Sequence, residues 1–153
     1  MKNLQQHLYL IVLFHLLFTG CGSYSSDEDK MDGKFYPVVT STSPSDGIYT
    51  VSIDTSNSVT FSEEMSSSSV TTNTSDTSCS GTLQLSSDNF STCVQMSSSP
   101  TTSNSNKTFT VTPSSSLSYG TNYKLRLTNG IKGVSGKTLS NQYTTPTGFT
   151  TSI

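Results

Sequence analysis

From Pro37 onward the chain alternates apolar with hydroxyl-bearing or charged residues in short runs. That is the period-two pattern of half-buried antiparallel strands. Val38-Val39-Thr40 opens a first strand, and Ser43-Pro44-Ser45-Asp46-Gly47 ends it in a turn, proline fixing φ and glycine free to take positive φ. Val51 with Ile53, Val59 with Phe61, Leu83 with Leu85, Val94 with Met96, and Phe109 with Val111 each alternate in the same way, the last run ending at Pro113. Tyr123, Leu125 and Leu127 against Asn122, Lys124 and Arg126 give the clearest inside/outside strand. Glu63 to Val70 is too serine-rich for a helix and predicts a single turn, with Met65 and Val70 pointing inward. After the turn glycines Gly130, Gly133 and Gly136, Phe149 to Thr151 forms a closing strand. Turn signals at these intervals predict an all-β, antiparallel sandwich of seven to eight strands.

The first 36 residues follow another rule. Lys2 precedes an apolar stretch from Leu8 to Phe18, too short at about 1.5 Å per residue to cross about 30 Å of hydrocarbon. A basic start, an apolar run and small residues in that order read as a secretory signal. Its end, Phe18-Thr19-Gly20-Cys21, resembles the lipobox of bacterial lipoproteins. The resemblance implies cleavage before Cys21 and acylation of its thiol, so that the mature chain is held to a membrane by lipid. Gly22 at the next position implies, by the sorting behaviour of such lipoproteins, the outer membrane. Gly22 to Lys34 is polar and aperiodic, which reads as a flexible tether. The acidic run Asp27-Glu28-Asp29 lacks the alternating ligand spacing of a calcium loop. The expected organisation is a signal peptide over 1–20, a polar tether over 21–36 and a domain over 37–153.

Composition narrows the chemistry. Ser and Thr make up 57 of 153 residues, yet they are interleaved with apolar positions, so they mark strands and turns. An apolar fraction of 31% predicts a thin core. A mature chain from Cys21 carries seven basic and ten acidic side chains, with no His and no Trp. That surface releases few counterions from a polyanion, which argues against nucleic acid. Lys124, Arg126, Lys132 and Lys137 read instead as solubilising charges.

Once Cys21 is acylated, Cys79 and Cys93 remain as an even pair, and a structural disulfide between them would stabilise a thin core by about 3 kcal/mol. The C-x-x-C spacing of a redox pair is absent. Without His there is no Ser-His-Asp or Cys-His arrangement and no histidine zinc site. Nucleotide-cofactor loops are also missing. Glu63-Glu64 and Asp54 could be proposed as catalytic carboxylates, but neighbours on a strand point to opposite faces, so Glu63 and Glu64 would not converge. The expectation is a non-enzyme without cofactor or metal.

Several of these stretches, taken in order, resemble the bacterial Ig-like domains of S-layer and other envelope proteins. The opening half is carried by Pro44-Ser45-Asp46-Gly47, Val51-Ser52-Ile53-Asp54 and Val59-Thr60-Phe61-Ser62-Glu63-Glu64-Met65. The closing half is carried by Phe109 to Pro113, Leu117 to Tyr123, Gly130 to Lys137 and Phe149-Thr150-Thr151. Asp76 to Asn106, with its two cysteines, departs from the family as an insertion. The resemblance implies an Ig-like sandwich and no catalytic residues. Two partner classes remain: an envelope or external protein, bound through a sheet face, an edge strand or loops, and a glycan, stacked on Tyr36, Tyr49, Tyr119 or Tyr143. Coplanar exposed tyrosines would favour the glycan, and a flat polar face with a free edge the protein. Tyr119 is also placed to hold a tyrosine corner, and the insertion is the first place to look for a binding surface.

Overall fold

The computed structural model describes residues 35–153. Both the signal and the tether up to Lys34, including Cys21 and Asp27 to Asp29, lie outside the described residues. Eight strands follow in chain order: β1 Val39–Ser43, β2 Asn57–Phe61, β3 Leu83–Ser86, β4 Thr101–Ser103, β5 Thr108–Val111, β6 Asn122–Leu127, β7 Tyr143–Thr144 and β8 Phe149–Thr150. One sheet has the order β1-β2-β5-β4; in the other, β6 pairs with β3 on one side and with β7 and β8 on its other side. If β7 and β8 are counted as one interrupted strand, these are the ABED and CFG sheets of an immunoglobulin-type sandwich.

Alternation builds the core. Val59, Phe61, Phe109 and Val111 face inward from the first sheet, and Leu83, Leu85, Tyr123, Leu125, Leu127 and Phe149 from the second. Phe61 and Phe109 meet edge to face at 6.0 Å, while Tyr123 and Phe149 stack at 5.8 Å. Loop residues Met65, Val70, Met96, Leu117, Ile131 and Leu139 close the core at its ends. Met65 and Val70 point inward as expected, around a single 3-10 turn at Ser67–Ser69.

Two expected strands are corrected. Val51 and Ile53 form no strand, because the chain leaves β1 through Pro44 and Gly47 and runs beside β8 instead. There Val51 makes one parallel bridge to Thr151, and Gly47 N–H donates to Gly148 O at 2.6 Å. This crossing seals the outer edge of β8. Val94 and Met96 also form no strand. Val94 N–H reaches Leu85 O at 2.8 Å and Met96 N–H reaches Asn73 O at 2.9 Å, so this segment caps the edge of β3. The strand of that region is β4, whose Thr-Thr-Ser sequence has no apolar alternation to reveal it. Between β7 and β8 the chain bulges at Gly148, with φ of +81°, where an added Cβ would overlap the Tyr123 carbonyl.

Candidate functional site

Each end of the sandwich gathers loops. At the end where the described chain begins, the β2–β3, β4–β5 and β6–β7 loops are laced together. Val38 and Ser62 exchange two hydrogen bonds, Ser62 N–H to Val38 O at 2.9 Å and Val38 N–H to Ser62 Oγ at 3.1 Å. Phe61 N–H donates to Lys107 O at 2.8 Å and Met65 N–H to Asn106 O at 3.0 Å. Ser66 N–H donates to Lys132 O at 2.8 Å and Val134 N–H to Glu64 O at 3.0 Å. The β4–β5 turn places Asn104, Ser105 and Asn106 in succession at positive φ, a conformation held by Met65 and by the Asn106 amide, which donates to Glu64 Oε1 at 3.1 Å. Gly133 passes directly over the Glu63 carboxylate, and any side chain there would collide with it. A shallow groove of about 500 Å³ results, lined by Glu64, Met65, Ser66, Asn106, Lys132 and Val134. Tyr36 joins this end by lying under the Lys137 ammonium, 4.9 Å from the ring centre.

The opposite end holds the β1–β2 and β5–β6 loops together with the last residues. Here Tyr123, not Tyr119, forms the tyrosine corner: its hydroxyl accepts the Ser118 N–H at 3.1 Å from the start of β6. Its ring is buried against Phe149, which fixes the hydroxyl beneath the turn, whereas Tyr119 is 67% exposed. Thr151, buried, donates its hydroxyl to Ser118 O at 2.6 Å and accepts Thr121 N–H at 2.9 Å. Asp46 accepts the N–H groups of Thr147 and Gly148 at 3.0 and 2.6 Å. Ile48, Tyr49 and Tyr119 stand out from this end into solvent.

The acids singled out from sequence stay apart. Glu63 is half-buried and accepts the Ser135 hydroxyl at 3.2 Å, Glu64 reaches Asn106, and Asp54 accepts the Ser116 hydroxyl at 2.5 Å at the far end. Glu63, Glu64 and Asp54 thus take separate partners, and among the described residues no group of three His, Cys, Asp or Glu converges as a metal site would require. Of the four candidate tyrosines, Tyr49 and Tyr119 are exposed on loops, Tyr36 is partly covered, and Tyr143 is half-buried in β7. Burial, with the Asp46 charge second, raises the Tyr143 pKa. They form no shared platform on a sheet face.

The insertion folds back over the outer face and edge of β3. Cys79 is bonded to Cys93, their Cα atoms 4.9 Å apart. Beneath this staple Gln84 points outward yet is buried; its amide donates to Cys79 O and Gly81 O at 2.7 and 2.8 Å, and its carbonyl accepts Arg126 Nε–H at 2.6 Å. The Arg126 guanidinium lies 4.0 Å from the centre of the Phe90 ring. Asp88 ties the following loop, accepting from the side chain and backbone of Thr92 and from Ser86 Oγ; these bonds lower its pKa to about 2. Thr101 to Ser103 continues the insertion as β4, a free edge with all three residues exposed. Asn106, Lys107 and Val134 were not singled out from sequence as site residues. A turn valine flanked by Gly133 and Gly136 was their one visible signal.

Comparison with known proteins agrees with this architecture. No curated protein matches the sequence significantly. The fold is similar to surface layer protein SbsC, domains 1–6, with a TM-score of 0.52 and 20% identity over 79% of this chain. It is similar also to the N-terminal part of the bacterial S-layer protein SbsC, with a TM-score of 0.53 and the same identity. The chain spans only 14% and 24% of those two structures. A family model described as bacterial Ig-like domain matches residues 34–151, and the chain belongs to that family.

Proposed function

We propose that the protein is a non-enzymatic, lipid-anchored Ig-like module of the bacterial cell envelope, acting in protein–protein interaction, adhesion or as a structural spacer. One observation carries this reading furthest: the domain is an Ig-like sandwich whose described acids converge on no site, while Ile48, Tyr49 and Tyr119 stand exposed together at one end as contact side chains. The disulfide fits an oxidising compartment outside the cytoplasm, and the S-layer likeness fits the envelope. The outer face of the β1-β2-β5-β4 sheet is polar and bounded by the free edge of β4, which favours a protein partner over a glycan. The alternative, a carbohydrate-binding module of the cell surface, rests on the same two exposed tyrosines, whose rings are the kind that stack on sugars.

Protease treatment of intact cells, of lysed cells and of a Cys21→Ala strain tests the reading. Digestion on intact cells, with loss of the protein from the cell fraction after Cys21→Ala, is the expected outcome for a surface-displayed module. Protection until lysis would move the module to the periplasmic side. A mature chain whose Cys21 carries no lipid, by mass spectrometry of the protein from cells, would end the lipid-anchor reading.

A further inference from the structure

The turn that leaves β6 carries an asparagine and a glycine whose reacting atoms are both open to solvent. Thr128, Asn129, Gly130 and Ile131 form this turn, closed by the Ile131 N–H on Thr128 O at 3.4 Å, and Asn129 and Gly130 are exposed. Among the described residues neither the Asn129 carboxamide nor the Gly130 N–H has a hydrogen-bond partner. Glycine also leaves the space around its nitrogen clear, where any other residue sets a Cβ beside it. The remaining asparagines are held differently. Asn57 and Asn73 are buried, and the Asn122 amide donates to Phe149 O at 3.3 Å. The N–H that follows Asn89 donates to Ser86 Oγ at 2.9 Å, and the one that follows Asn106 donates to Asn104 O at 3.1 Å. Asn104 and Asn141 precede Ser105 and Gln142, each with a Cβ at the attacking position. Among the described asparagines, only Asn129 combines an exposed, unheld amide with an unhindered, unbonded nitrogen next in the chain.

We propose that Asn129 is a site of spontaneous covalent modification, which converts through a succinimide to isoaspartate and aspartate. The Gly130 nitrogen gives its proton to hydroxide and attacks Asn129 Cγ; the new C–N bond closes the ring, and the carboxamide nitrogen leaves as ammonia. A water molecule then opens the ring. Opening at Cγ restores the ordinary main chain with an aspartate side chain. Opening at the former main-chain carbonyl gives isoaspartate, whose main chain runs through the side-chain methylene and is longer by that carbon. The structural consequence follows from where the turn is pinned. On one side Thr128 N–H donates to Thr82 O at 2.9 Å, and on the other Ile131 is fully buried and accepts Leu139 N–H at 3.1 Å. Slack toward β3 is small, since a Cβ added at Gly130 would lie 3.3 Å from Thr82 Cγ2. A longer main chain between these points strains both of them. The segment just beyond holds the laced loop end, where Lys132 O accepts Ser66 N–H and Val134 N–H donates to Glu64 O. Isoaspartate therefore loosens that end as the protein ages, while aspartate, which keeps the chain length, leaves it closed.

The test uses the protein isolated from cells with its disulfide intact, held folded in mildly alkaline buffer for as long as the denatured chain takes to react, and then digested. Mass spectrometry should place the gain from exchanging NH2 for OH on the peptide containing Asn129, split into separate chromatographic forms. An isoaspartate-specific methyltransferase should label one of them. The reaction should quicken as pH rises, because the attacking group is the deprotonated amide. Gly130→Ala and Asn129→Gln, in protein whose thermal melt is intact, should both lose the product over the same period. An Asn129 that stays an amide in the folded protein would overturn the proposal, and so would a gain at Asn104 or Asn141 ahead of it. Hydrogen exchange reads the consequence. Protein enriched in the isoaspartate form should lose protection at the Ser66 and Val134 amides, whereas Asn129→Asp, with the same charge on an unaltered main chain, should keep it. Equal protection in the two would overturn the loosening.

Discussion

The outer faces of the two sheets solve the same problem in opposite ways. On the β1-β2-β5-β4 sheet, register aligns Ser43, Ser58, Thr110 and Thr101 in one row and Ser41, Thr60, Thr108 and Ser103 in the next. Both rows are uncharged hydroxyls, partly satisfied by each other, as in the 3.0 Å contact between Thr60 Oγ1 and Thr108 Oγ1. Water completes the rest, and this face needs no cover. On β3 all four residues are buried, although Gln84 and Ser86 point away from the core. Their polar atoms must therefore be satisfied by protein, and the disulfide-bonded insertion does so. A sheet face built from small hydroxyls can remain bare, whereas one built on a long amide has to be roofed, and the roof brings its own dependence on a covalent bond.

Removing that bond should produce the largest difference between the faces. Cys79→Ser with Cys93→Ser should destabilise the domain by about 3 kcal/mol in the chain-entropy account, seen as a lower midpoint in denaturant melts. An unchanged midpoint would mean that the roof holds without its staple. A smaller contrast compares one side chain from each face. Gln84→Ala strands Arg126 Nε–H and two carbonyls under cover and should cost about 1–3 kcal/mol. Thr110→Ala on the bare face should stay within about 0.5 kcal/mol. Equal costs at the two sites would break the comparison.

The smallest effect is confined to the loop beyond β3. The hydroxyl and N–H of Thr92, then Ser86, depress the Asp88 pKa to about 2 from 3.8. A depressed acid adds stability above its unfolded pKa and loses it as pH falls through the folded value. Between about pH 4 and about pH 2 the Thr92 amide should lose hydrogen-exchange protection while the core amides of β6 keep theirs. Asp88→Asn should remove the pH dependence at Thr92.

How much of this was legible beforehand depended on range. The β6 strand was readable because Tyr123, Leu125 and Leu127 alternate locally against hydrophilic neighbours, and the same holds for Phe109 and Val111 in β5. Met65 and Val70 could be assigned inward from their spacing in a serine-rich turn. The cysteine pair was legible once Cys21 was set aside for the lipid. β4 was not, since Thr-Thr-Ser has no apolar partner to set a period, and it becomes a strand only because β5 offers an edge. Nor was the corner tyrosine. Tyr119 and Tyr123 both flank the same turn, and only burial against Phe149 decides which hydroxyl lies beneath Ser118.

Sequence by itself therefore determined β1, β2, β3, β5, β6 and β8, the inward residues of those strands, the family and, with Cys21 set aside, the cysteine pair, because each follows from short-range alternation or from residue type. Tertiary structure alone decided that residues 47–51 cross to seal β8, that the insertion roofs β3, and that Val134 and Lys132 share an end with the start of the described chain. Those outcomes depend on which backbone edges and buried polar atoms remain unpaired after the sheets form, a quantity defined only once distant segments meet.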